Sequence, residues 1–186
     1  RFHLYPFVTC TQCGPRFTLT HALPYDRAQT SMARFPMCDA CADEYRDPAD
    51  RRFHAEPIAC PKCGPRLSHP IGEIVRALKE GKIVAAKGVG GFHLLCDARD
   101  GAVVERLRER KRRGAKPFAA MVPNVASLSR YAAPTPEEIA LASSPAAPIV
   151  LMQSRFALPE AVAPRLSRLG MMLAYAPLHH LIFSAW

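Results

Sequence analysis

The second half of the chain alternates between helical and strand-like patterns of apolar residues. Ile71, Ile74, Val75 and Leu78 recur at the spacing of one helix face, and Gly81 follows as a stop signal. The segments "KIVAAKG" and "GFHLLCDA" that come next are short apolar runs typical of buried strands. This part of the sequence therefore predicts a helix followed by two strands.

The same alternation continues to the end of the sequence. Asp100 is placed to cap a helix that ends near Gly114. A second helix start has a cap, a first-turn proline and a capping-box carboxylate at Thr135, Pro136 and Glu138. Three further strands and a final helix are predicted at "PFAAMV", "APIVLM", "LGMMLAYA" and "PLHHLIF". Strands that alternate with helices indicate a sheet domain of the α/β (α+β) class.

The first third of the chain is rich in cysteine instead of aliphatic periodicity. Two Cys-x-x-Cys pairs, separated by eighteen residues, are formed by Cys38, Cys41, Cys60 and Cys63. Four thiolates at this spacing are typical of a tetrahedral zinc site, and a closed four-cysteine site is structural. The alternatives are two disulfides or a redox pair, which the absence of a surrounding βαβ pattern disfavours.

A further pair, Cys10 and Cys13, belongs to an internal repeat. "RFHLYPFVTCTQCGPRF" begins at Arg1 and "RFHAEPIACPKCGPRL" begins at Arg52, and both contain Arg-Phe-His, Pro and Cys-x-x-Cys-Gly-Pro-Arg. Such a repeat predicts two similar units, and the upstream cysteine pair of the first unit is expected to fall before Arg1. We therefore expect Cys10 and Cys13 to be half of a second metal site. The histidines that are alternative ligands for it are His3, His21 and His54.

Composition limits the class of protein and its partners. The 186 residues suffice for one ordinary domain and a small one, and the composition changes near Ser68. We expect a zinc-finger region at 1–67 and a sheet domain at 68–186. Six of seven cysteines lie in Cys-x-x-Cys pairs, which favours metal binding in a reducing, cytoplasmic setting. No apolar run suggests a signal peptide or a membrane span, and the net charge of +9 favours acidic or phosphorylated partners.

Two segments carry residues suited to an anionic ligand. "KGVGGFH", residues 87–93, combines a lysine with glycines that allow close backbone approach, although such turns are often only turns. "RLRERKRRGAKPF", residues 106–118, has seven basic residues among the eleven from Arg106 to Lys116. Such a cluster suits a triphosphate, and a solvated helix face explains it equally well.

Three more residues have chemistry of interest in the second half of the chain. His179 and His180 follow a predicted strand end, and adjacent helical residues point to different sides, so at most one of them is expected at a site. Cys96 stands alone in an apolar run, where packing in the core is the better interpretation.

Taken together, these motifs resemble the HypF family of carbamoyltransferases. The resemblance rests on the serial Cys-x-x-Cys-Gly-Pro-Arg segments followed by "KGVGGFHLLCDA", "LRERKRRGAKPFAAMV", "APIVLM" and "APLHHLIF". It extends from Arg1 to about Phe183. The part from about Ile71 resembles the twisted-sheet YrdC-like domain of that family, here preceded by a small four-cysteine zinc-finger domain.

The resemblance implies an activity in the maturation of [NiFe]-hydrogenase. Members of the family use carbamoyl phosphate and ATP with Mg²⁺ to form a carbamoyl-adenylate. They pass the carbamoyl group to the C-terminal cysteine of HypE, and the group becomes a cyanide ligand of the hydrogenase iron. An acylphosphatase domain and a transfer domain of the family have no counterpart in the sequence, and we expect the YrdC-like domain to be incomplete at its C-terminal end.

The resemblance also assigns binding residues for ATP and substrate. They are the motif residues Lys111, Arg113 and Lys116, the segment residues Lys87, Gly90, Gly91 and His93, and the pair His179 and His180. No general base is identified. Two departures from the family pattern are Gly114, where proline is usual, and "AYAPLHH" in place of "PYTPLHH".

Two other functions remain open at the level of the sequence. The first is a zinc-containing module of YrdC type that binds double-stranded RNA or another nucleic acid without catalysis, which the charge of +9 allows. No recognition-helix pattern and no series of stacking aromatics supports it. The second is a noncatalytic scaffold that docks HypE.

Overall fold

The structure, a computed structural model, describes residues 1–11, 17–88 and 91–186. Within these residues the chain forms five α-helices, six strands and several short 3-10 helices. The helices are α1 (Asp39–Arg46), α2 (Ile71–Lys79), α3 (Gly101–Arg110), α4 (Pro136–Ala142) and α5 (Pro177–Ala185). The strands are β1 (Val84–Lys87), β2 (Phe92–Leu95), β3 (Ala119–Val122), β4 (Ala132–Ala133), β5 (Val150–Ser154) and β6 (Arg168–Leu173).

Two of the five described α-helices, α3 and α4, begin at residues whose side chains cap their first amides. The carboxylate of Asp100 accepts hydrogen bonds from the backbone amides of Ala102 and Val103 at 3.0 and 3.2 Å at the start of α3. Thr135 and Glu138 form a reciprocal capping box at the start of α4. Each such cap satisfies amides that have no partner within the helix, which stabilises it by about 1 kcal/mol.

The strands form two separate sheets. β1 and β2 pair as an antiparallel hairpin, in which Ala86 lies opposite His93 and Lys87 lies opposite Phe92. The other four strands have the order β3-β6-β5-β4. The β3–β6 pair is parallel, whereas the β5–β6 and β4–β5 pairs are antiparallel. The predicted α/β (α+β) class is therefore confirmed, and the strand directions are a result of the structure alone.

Two apolar clusters fill the part of the chain after residue 70. The larger one lies under the four-stranded sheet and includes the fully buried Leu128, Met152 and Met171. The smaller one packs α2 and α5 against the β1–β2 hairpin, through residues such as Val75 and Leu178. The face of α2 predicted from the sequence is thus the face that packs.

The part of the chain before residue 70 has much smaller apolar clusters. One contains Tyr5, Met32 and Ala59, and the other contains Ile58 with the buried cysteines. We call this cysteine-rich part of the described chain, residues 1–11 and 17–69, the arm. Its small apolar content means that hydrophobic burial contributes little to its stability.

Some element boundaries differ from those predicted by the sequence. The helix that begins after Asp100 ends at Arg110 and not near Gly114, because Arg112 and Gly114 adopt positive φ angles of 48° and 55°. α1 and the short strand β4 were not predicted. Among the described residues, no helix is both long enough and apolar enough to cross a membrane.

Candidate functional site

The four cysteines predicted to bind metal come together in the arm. Cys38 caps α1 and Cys41 lies in its first turn, where the Cys41 amide donates to the Cys38 carbonyl at 2.9 Å. Cys60 and Cys63 form a similar turn, closed by a 3.1 Å bond from the Cys63 amide to the Cys60 carbonyl. Gly64 follows this turn in a space that a side chain cannot enter, because a Cβ there would collide with the Tyr5 hydroxyl and Ala59.

The distances between the sulfur atoms fit a tetrahedral metal ion. Sγ of Cys60 lies 3.7 Å from Sγ of both Cys38 and Cys63, and the Cys63–Cys41 separation is 3.6 Å. All four ligand atoms lie within 4.8 Å of one another. Four sulfurs placed about 2.3 Å from a zinc ion are about 3.8 Å apart, whereas a disulfide needs about 2.05 Å. The cluster thus suits a closed four-cysteine zinc site, and the disulfide alternative does not fit.

The environment of the thiols favours a partly ionised cluster. Burial raises the pKa of Cys41, as expected for a thiol removed from water. Burial acts in the same direction at Cys63, but hydrogen bonds with the backbone at Cys38 and Cys60 and with neighbouring thiols lower its pKa to about 6. The thiolate form of Cys63 is therefore favoured at neutral pH, and a bound cation would favour the thiolate form of all four ligands.

A buried polar network supports the cysteine turns from behind. The guanidinium of Arg27 donates to the carbonyls of Glu56, Ile58 and Phe35 at 2.6 to 2.8 Å. The carboxylate of Glu56 accepts from the Arg27 amide at 2.7 Å and from the Tyr45 hydroxyl at 2.8 Å. These bonds connect both sides of the arm next to Cys60, and neither Arg27 nor Glu56 was singled out in the sequence.

The second predicted metal site is not assembled in the described part of the chain. Cys10 is exposed, and Cys13 lies outside the described residues. The alternative ligands His3, His21 and His54 are exposed. Among the described residues, the Cys38–Cys63 cluster is the one group of three or more metal-type ligands. The half-site at Cys10 and Cys13 remains a prediction.

A large cleft separates the arm from the sheet region. Its volume is about 1330 Å³, and side chains of both parts line it. The charged lining residues are mostly cationic, namely Arg34, Arg51, Arg66 and Lys87, against one carboxylate, Glu56, that is engaged with Arg27 and Tyr45. Aromatic rings also line it, at Phe7, Tyr25, Phe35, Phe53, Phe92 and Tyr175. This combination suits a flat or phosphorylated anion.

The predicted "KGVGGFH" residues lie on the hairpin beside this cleft, but on two different faces. Residues paired across antiparallel strands share a face, so Lys87 lies with Phe92 and His93 lies with Ala86. The ammonium of Lys87 is 5.3 Å from the centre of the Phe92 ring. Gly91 has a φ of 149°, a conformation that favours glycine, and Gly90 lies outside the described residues.

His93 is part of a cluster of three rings. The His93 ring stacks on the His179 ring with centroids 5.5 Å apart, and the Tyr175 ring meets His179 edge-on at 4.7 Å. The Tyr175 hydroxyl lies 3.5 Å from Nε2 of His93. His180, the other half of the predicted pair, is exposed. The two adjacent histidines therefore point to different sides, as the sequence indicated.

His179 is buried without a hydrogen-bond partner for its ring among the residues that the structure describes. It is 2% exposed, and neither ring nitrogen has a hydrogen-bond partner within the described residues. Burial, together with repulsion from His93 and His180, lowers its pKa to about 4. His179 is therefore neutral at physiological pH and contributes a ring surface to the cluster, not a charge.

The basic segment, residues 106–118, covers the end of α3 and the loop before β3, and two of its arginines bind backbone carbonyls that hold this loop in place. Arg113 donates to the carbonyl of Pro117 at 2.7 Å, and its guanidinium lies 4.6 Å from the centre of the Phe118 ring. Arg108 donates to the carbonyls of Ala161 and Lys116, at 2.5 and 3.0 Å, and to the carbonyl of Gly114. Lys111 and Lys116, by contrast, are exposed. These two lysines are therefore available to a phosphate, while Arg108 and Arg113 shape the loop.

The basic loop and the histidine cluster lie at different ends of one strand pair. The loop precedes β3, and Tyr175 and His179 follow β6. Because β3 and β6 are parallel, the start of one and the end of the other are on opposite edges. Within residues 1–11, 17–88 and 91–186, no hydrogen bond or ring contact joins the two groups. The sequence grouped them into one site, and the structure does not bring them into contact.

Three contributors to these sites carried only weak signals in the sequence. Tyr175, Arg108 and Arg27 act through contacts with residues far away along the chain, which no local pattern reveals. Tyr175 had the clearest signal, since it lies just before the histidine pair, where the strand was expected to end.

Comparison with known proteins gives two family matches. Residues 76–186 match the Sua5/YciO/YrdC family model, described as telomere recombination. Residues 1–20 and 37–69 match the model described as the HypF finger. The two matches cover the sheet region and most of the arm.

Whole-chain relatives are also found. A carbamoyltransferase HypF from Rhodobacter capsulatus is 54% identical over 192 residues, which cover 98% of this chain and 26% of the relative. Another, from Rhizobium leguminosarum bv. viciae, is 61% identical over 183 residues, with coverages of 98% and 24%. The chain thus spans about a quarter of the length of these curated relatives.

A solved structure of similar fold covers the entire chain. It is a full-length HypF in its phosphate- and nucleotide-bound form, 47% identical, with a TM-score of 0.92. The match covers 100% of this chain and 26% of the other. The arrangement of arm and sheet is therefore the same in the two proteins.

Proposed function

Because this chain belongs to the HypF carbamoyltransferase family, we propose that it contributes to the ATP-dependent activation of a carbamoyl group. The product is a carbamoyl-adenylate. In hydrogenase maturation its carbamoyl group is transferred to the C-terminal cysteine of a HypE-like partner and becomes a cyanide ligand of the [NiFe]-hydrogenase iron. Carbamoyl phosphate is the source of the carbamoyl group, and ATP enters with Mg²⁺.

In the adenylation step the bonds form and break between the two substrates, and the protein itself forms no covalent bond. A carbamate oxygen attacks the α-phosphorus of ATP, the bond to the β-phosphate oxygen breaks, and pyrophosphate leaves. The carbamate is released, together with phosphate, when water hydrolyses carbamoyl phosphate, a step that the resemblance gives to the acylphosphatase domain of the family. It is already ionised, so no general base is needed. Positioning of the two anions and neutralisation of charge on the phosphates are the contributions expected of the chain.

The observation that carries this proposal is the cationic, aromatic cleft between the arm and the sheet. Its cations outnumber its carboxylates, and its rings offer surfaces on which a base can stack. A relative of the same fold was solved with nucleotide bound. Lys87 lines the cleft. We assign Gly91 and His93, which lie next to the cleft wall on the same hairpin, to the same ligand site, together with Gly90 of that sequence segment and with His179 and His180 of α5.

Phosphate binding is assigned to the basic loop. Among the exposed cations of this segment, we assign Lys111 and Lys116 to a phosphate oxygen, and Arg113 holds the loop through its bond to Pro117. The basic loop and the histidine cluster lie at opposite ends of the β3–β6 pair. We therefore expect either that ATP spans the distance between them or that the loop moves over the bound ATP. The zinc site stabilises the arm, whose side chains form the other wall of the cleft. We also propose that the chain divides into its two domains at about residue 68.

Pyrophosphate exchange tests the proposal directly. The zinc-loaded chain is incubated with ATP, Mg²⁺ and labelled pyrophosphate, either with carbamoyl phosphate or with ammonium bicarbonate, which contains carbamate at equilibrium. Label is expected in ATP when carbamate is present, and Lys111→Ala should lower the exchange at least tenfold. Absence of ATP binding by the zinc-loaded chain would contradict the proposal.

Nucleic-acid binding is the competing function, and the exposed basic residues of the loop favour it. A duplex RNA is therefore titrated beside ATP at two salt concentrations. RNA affinity that falls steeply with salt, without any ATP binding, would favour the nucleic-acid function. The engagement of Arg106, Arg108 and Arg113 with backbone carbonyls leaves fewer cations for a duplex.

A further inference from the structure

The ring cluster at the edge of the cleft holds His93 on three sides. Its ring lies parallel to that of His179, with an angle of 21° between the planes. Its Nε2 atom faces the Tyr175 hydroxyl at 3.5 Å. Tyr175 and Gly88 both line the cleft, so the His93 ring lies between two residues of the cleft wall.

Gly88 provides the third side of this arrangement. A Cβ at position 88 would lie 3.0 Å from Cε1 and 3.1 Å from Nε2 of His93, which is tighter than ordinary contact. The His93 ring therefore packs directly over the backbone of Gly88, and a residue with a side chain at position 88 would displace the ring. The Gly88 amide donates to the Gly91 carbonyl at 2.7 Å.

Hydrogen bonding distinguishes the two neighbours of His93. His179 offers no bond, because neither of its nitrogens has a partner within the described residues, and it only fixes the plane of the stack. The Tyr175 hydroxyl is the one group among the described residues that bonds to the His93 ring. Burial raises the pKa of Tyr175, which keeps its proton on the oxygen.

This single bond decides which nitrogen of His93 carries the proton. A neutral imidazole has one donor and one acceptor nitrogen, and a neighbouring group that binds one nitrogen fixes the role of the other. Imidazole nitrogen is a better acceptor than phenol oxygen, so the hydroxyl donates to Nε2. The proton of His93 then resides on Nδ1, which has no partner among the described residues.

We propose that Tyr175 is a positioning residue that holds His93 in the tautomer with the proton on Nδ1, so that Nδ1 donates to an anionic oxygen of the ligand in the cleft. That oxygen belongs to a phosphate of ATP or to the carbamoyl donor, since both present the same acceptor chemistry. The ligand part of the inference rests on the proposed function, whereas the tautomer does not.

Two readouts on the zinc-loaded chain test the inference. Long-range ¹H–¹⁵N spectra report the tautomer of His93 without any ligand, and titration with ATP and Mg²⁺ or with carbamoyl phosphate reports binding. Tyr175→Phe removes the hydroxyl and keeps the ring. Tyr131→Phe, a partly buried tyrosine packed against the core of the four-stranded sheet, is the matched control.

In the unchanged chain we expect the His93 tautomer with the proton on Nδ1, and a shift of that signal when one of the two ligands is added. The ligand that causes the shift identifies the source of the oxygen. Tyr175→Phe should mix the two tautomers and weaken binding about threefold to tenfold, the effect of one hydrogen bond. Tyr131→Phe should leave the tautomer and the affinity unchanged.

An unchanged tautomer in Tyr175→Phe, or a changed tautomer with unchanged affinity, would overturn the inference. Failure of the unchanged chain to bind ATP and carbamoyl phosphate would instead contradict the proposed function, and the tautomer would still be measurable. A loss of binding with the same loss in Tyr131→Phe would show a general effect on folding and would also overturn the positioning role.

Discussion

The arm and the sheet region differ in the interactions that stabilise their folds. The described residues of the sheet region form two apolar clusters, and residues such as Leu128 and Met152 are fully buried in the larger one. The arm has small clusters, and its most buried side chains include Cys41 and Cys60, which are metal ligands by their geometry. We infer from this difference that the sheet region depends on hydrophobic burial, and we expect the arm to depend on a cation bound by its four cysteines.

Removal of a thiol is the largest expected perturbation, and it should affect the arm alone. Cys60→Ala takes away one of four ligands, and structural zinc contributes on the order of 10 kcal/mol to folding in small finger domains. We expect zinc content to fall to near zero and the amide signals of the arm to collapse. Trp186, the single tryptophan, should keep its native fluorescence because it packs against α2 and α5.

Cys96→Ala is the control for this experiment. Cys96 packs against the sheet core and is not part of the four-cysteine cluster, so the variant should retain its zinc. An arm that stays folded and metal-bound in Cys60→Ala would contradict the comparison.

A cavity in the sheet core should have the opposite effect. Leu128 is fully buried, and Leu128→Ala should lower the free energy of unfolding of the sheet region by about 2–5 kcal/mol. Zinc content should not change. Leu141→Ala, at a leucine that is 53% exposed, should cost much less. Urea unfolding followed by Trp186 fluorescence measures both variants, and loss of zinc in Leu128→Ala would show that the two parts are not independent.

The buried His179 predicts how the stability of the sheet region depends on pH. Its pKa is about 4 in the folded chain, where burial disfavours the charged ring, and about 6.5 in an unfolded chain. The unfolded state therefore binds more protons between these values. Stability is full above pH 6.5 and falls by up to about 3 kcal/mol as the pH drops towards 4. Urea unfolding at pH 7 and pH 5, read by Trp186, measures the loss.

Two variants separate this effect from the acid sensitivity of the thiols. His179→Phe keeps a flat apolar ring and should reduce the pH dependence of the sheet signal. His21→Phe changes an exposed histidine of the arm and should leave that dependence as it is. Equal pH profiles for the unchanged chain and His179→Phe would rule out His179 as the source.

The smallest expected effect concerns the loop between α3 and β3. Arg108→Lys keeps the charge but loses the planar fork that binds the carbonyls of Ala161, Gly114 and Lys116. We expect a loss of about 1–2 kcal/mol in the free energy of unfolding and a few-fold weaker binding of ATP. Arg110→Lys, at an exposed neighbour, is the control. Equal effects of the two variants would mean that charge alone matters there.

The sequence predicted those features that depend on neighbours along the chain. The caps at Asp100 and Thr135, the packed face of α2 and each Cys-x-x-Cys turn are local patterns, and the structure confirms them. Their physical basis is the same, because a helix cap, a helix face and a Cys-x-x-Cys turn are each completed within a few residues.

Features that depend on distant partners were not predictable. The parallel pairing of β3 with β6 depends on which strands become neighbours, and no local signal encodes it. Charge patterns likewise did not reveal that Arg113 binds a carbonyl while Lys111 stays exposed. Lys87 and His93 lie on opposite faces because Lys87 pairs with Phe92, and this pairing register was not known from the sequence.

The position of Arg27 determines how much of the chain must be transferred if the cysteine turns are to be grafted into another protein. It lies between the two ranges matched by the HypF finger model, 1–20 and 37–69. Yet its side chain links Phe35, on one side of the arm, to Glu56 and Ile58, which adjoin Cys60. The smallest transplantable unit is therefore longer than the cysteine motif, and a graft that omits the stretch around Arg27 would carry the ligands without the brace that orients them.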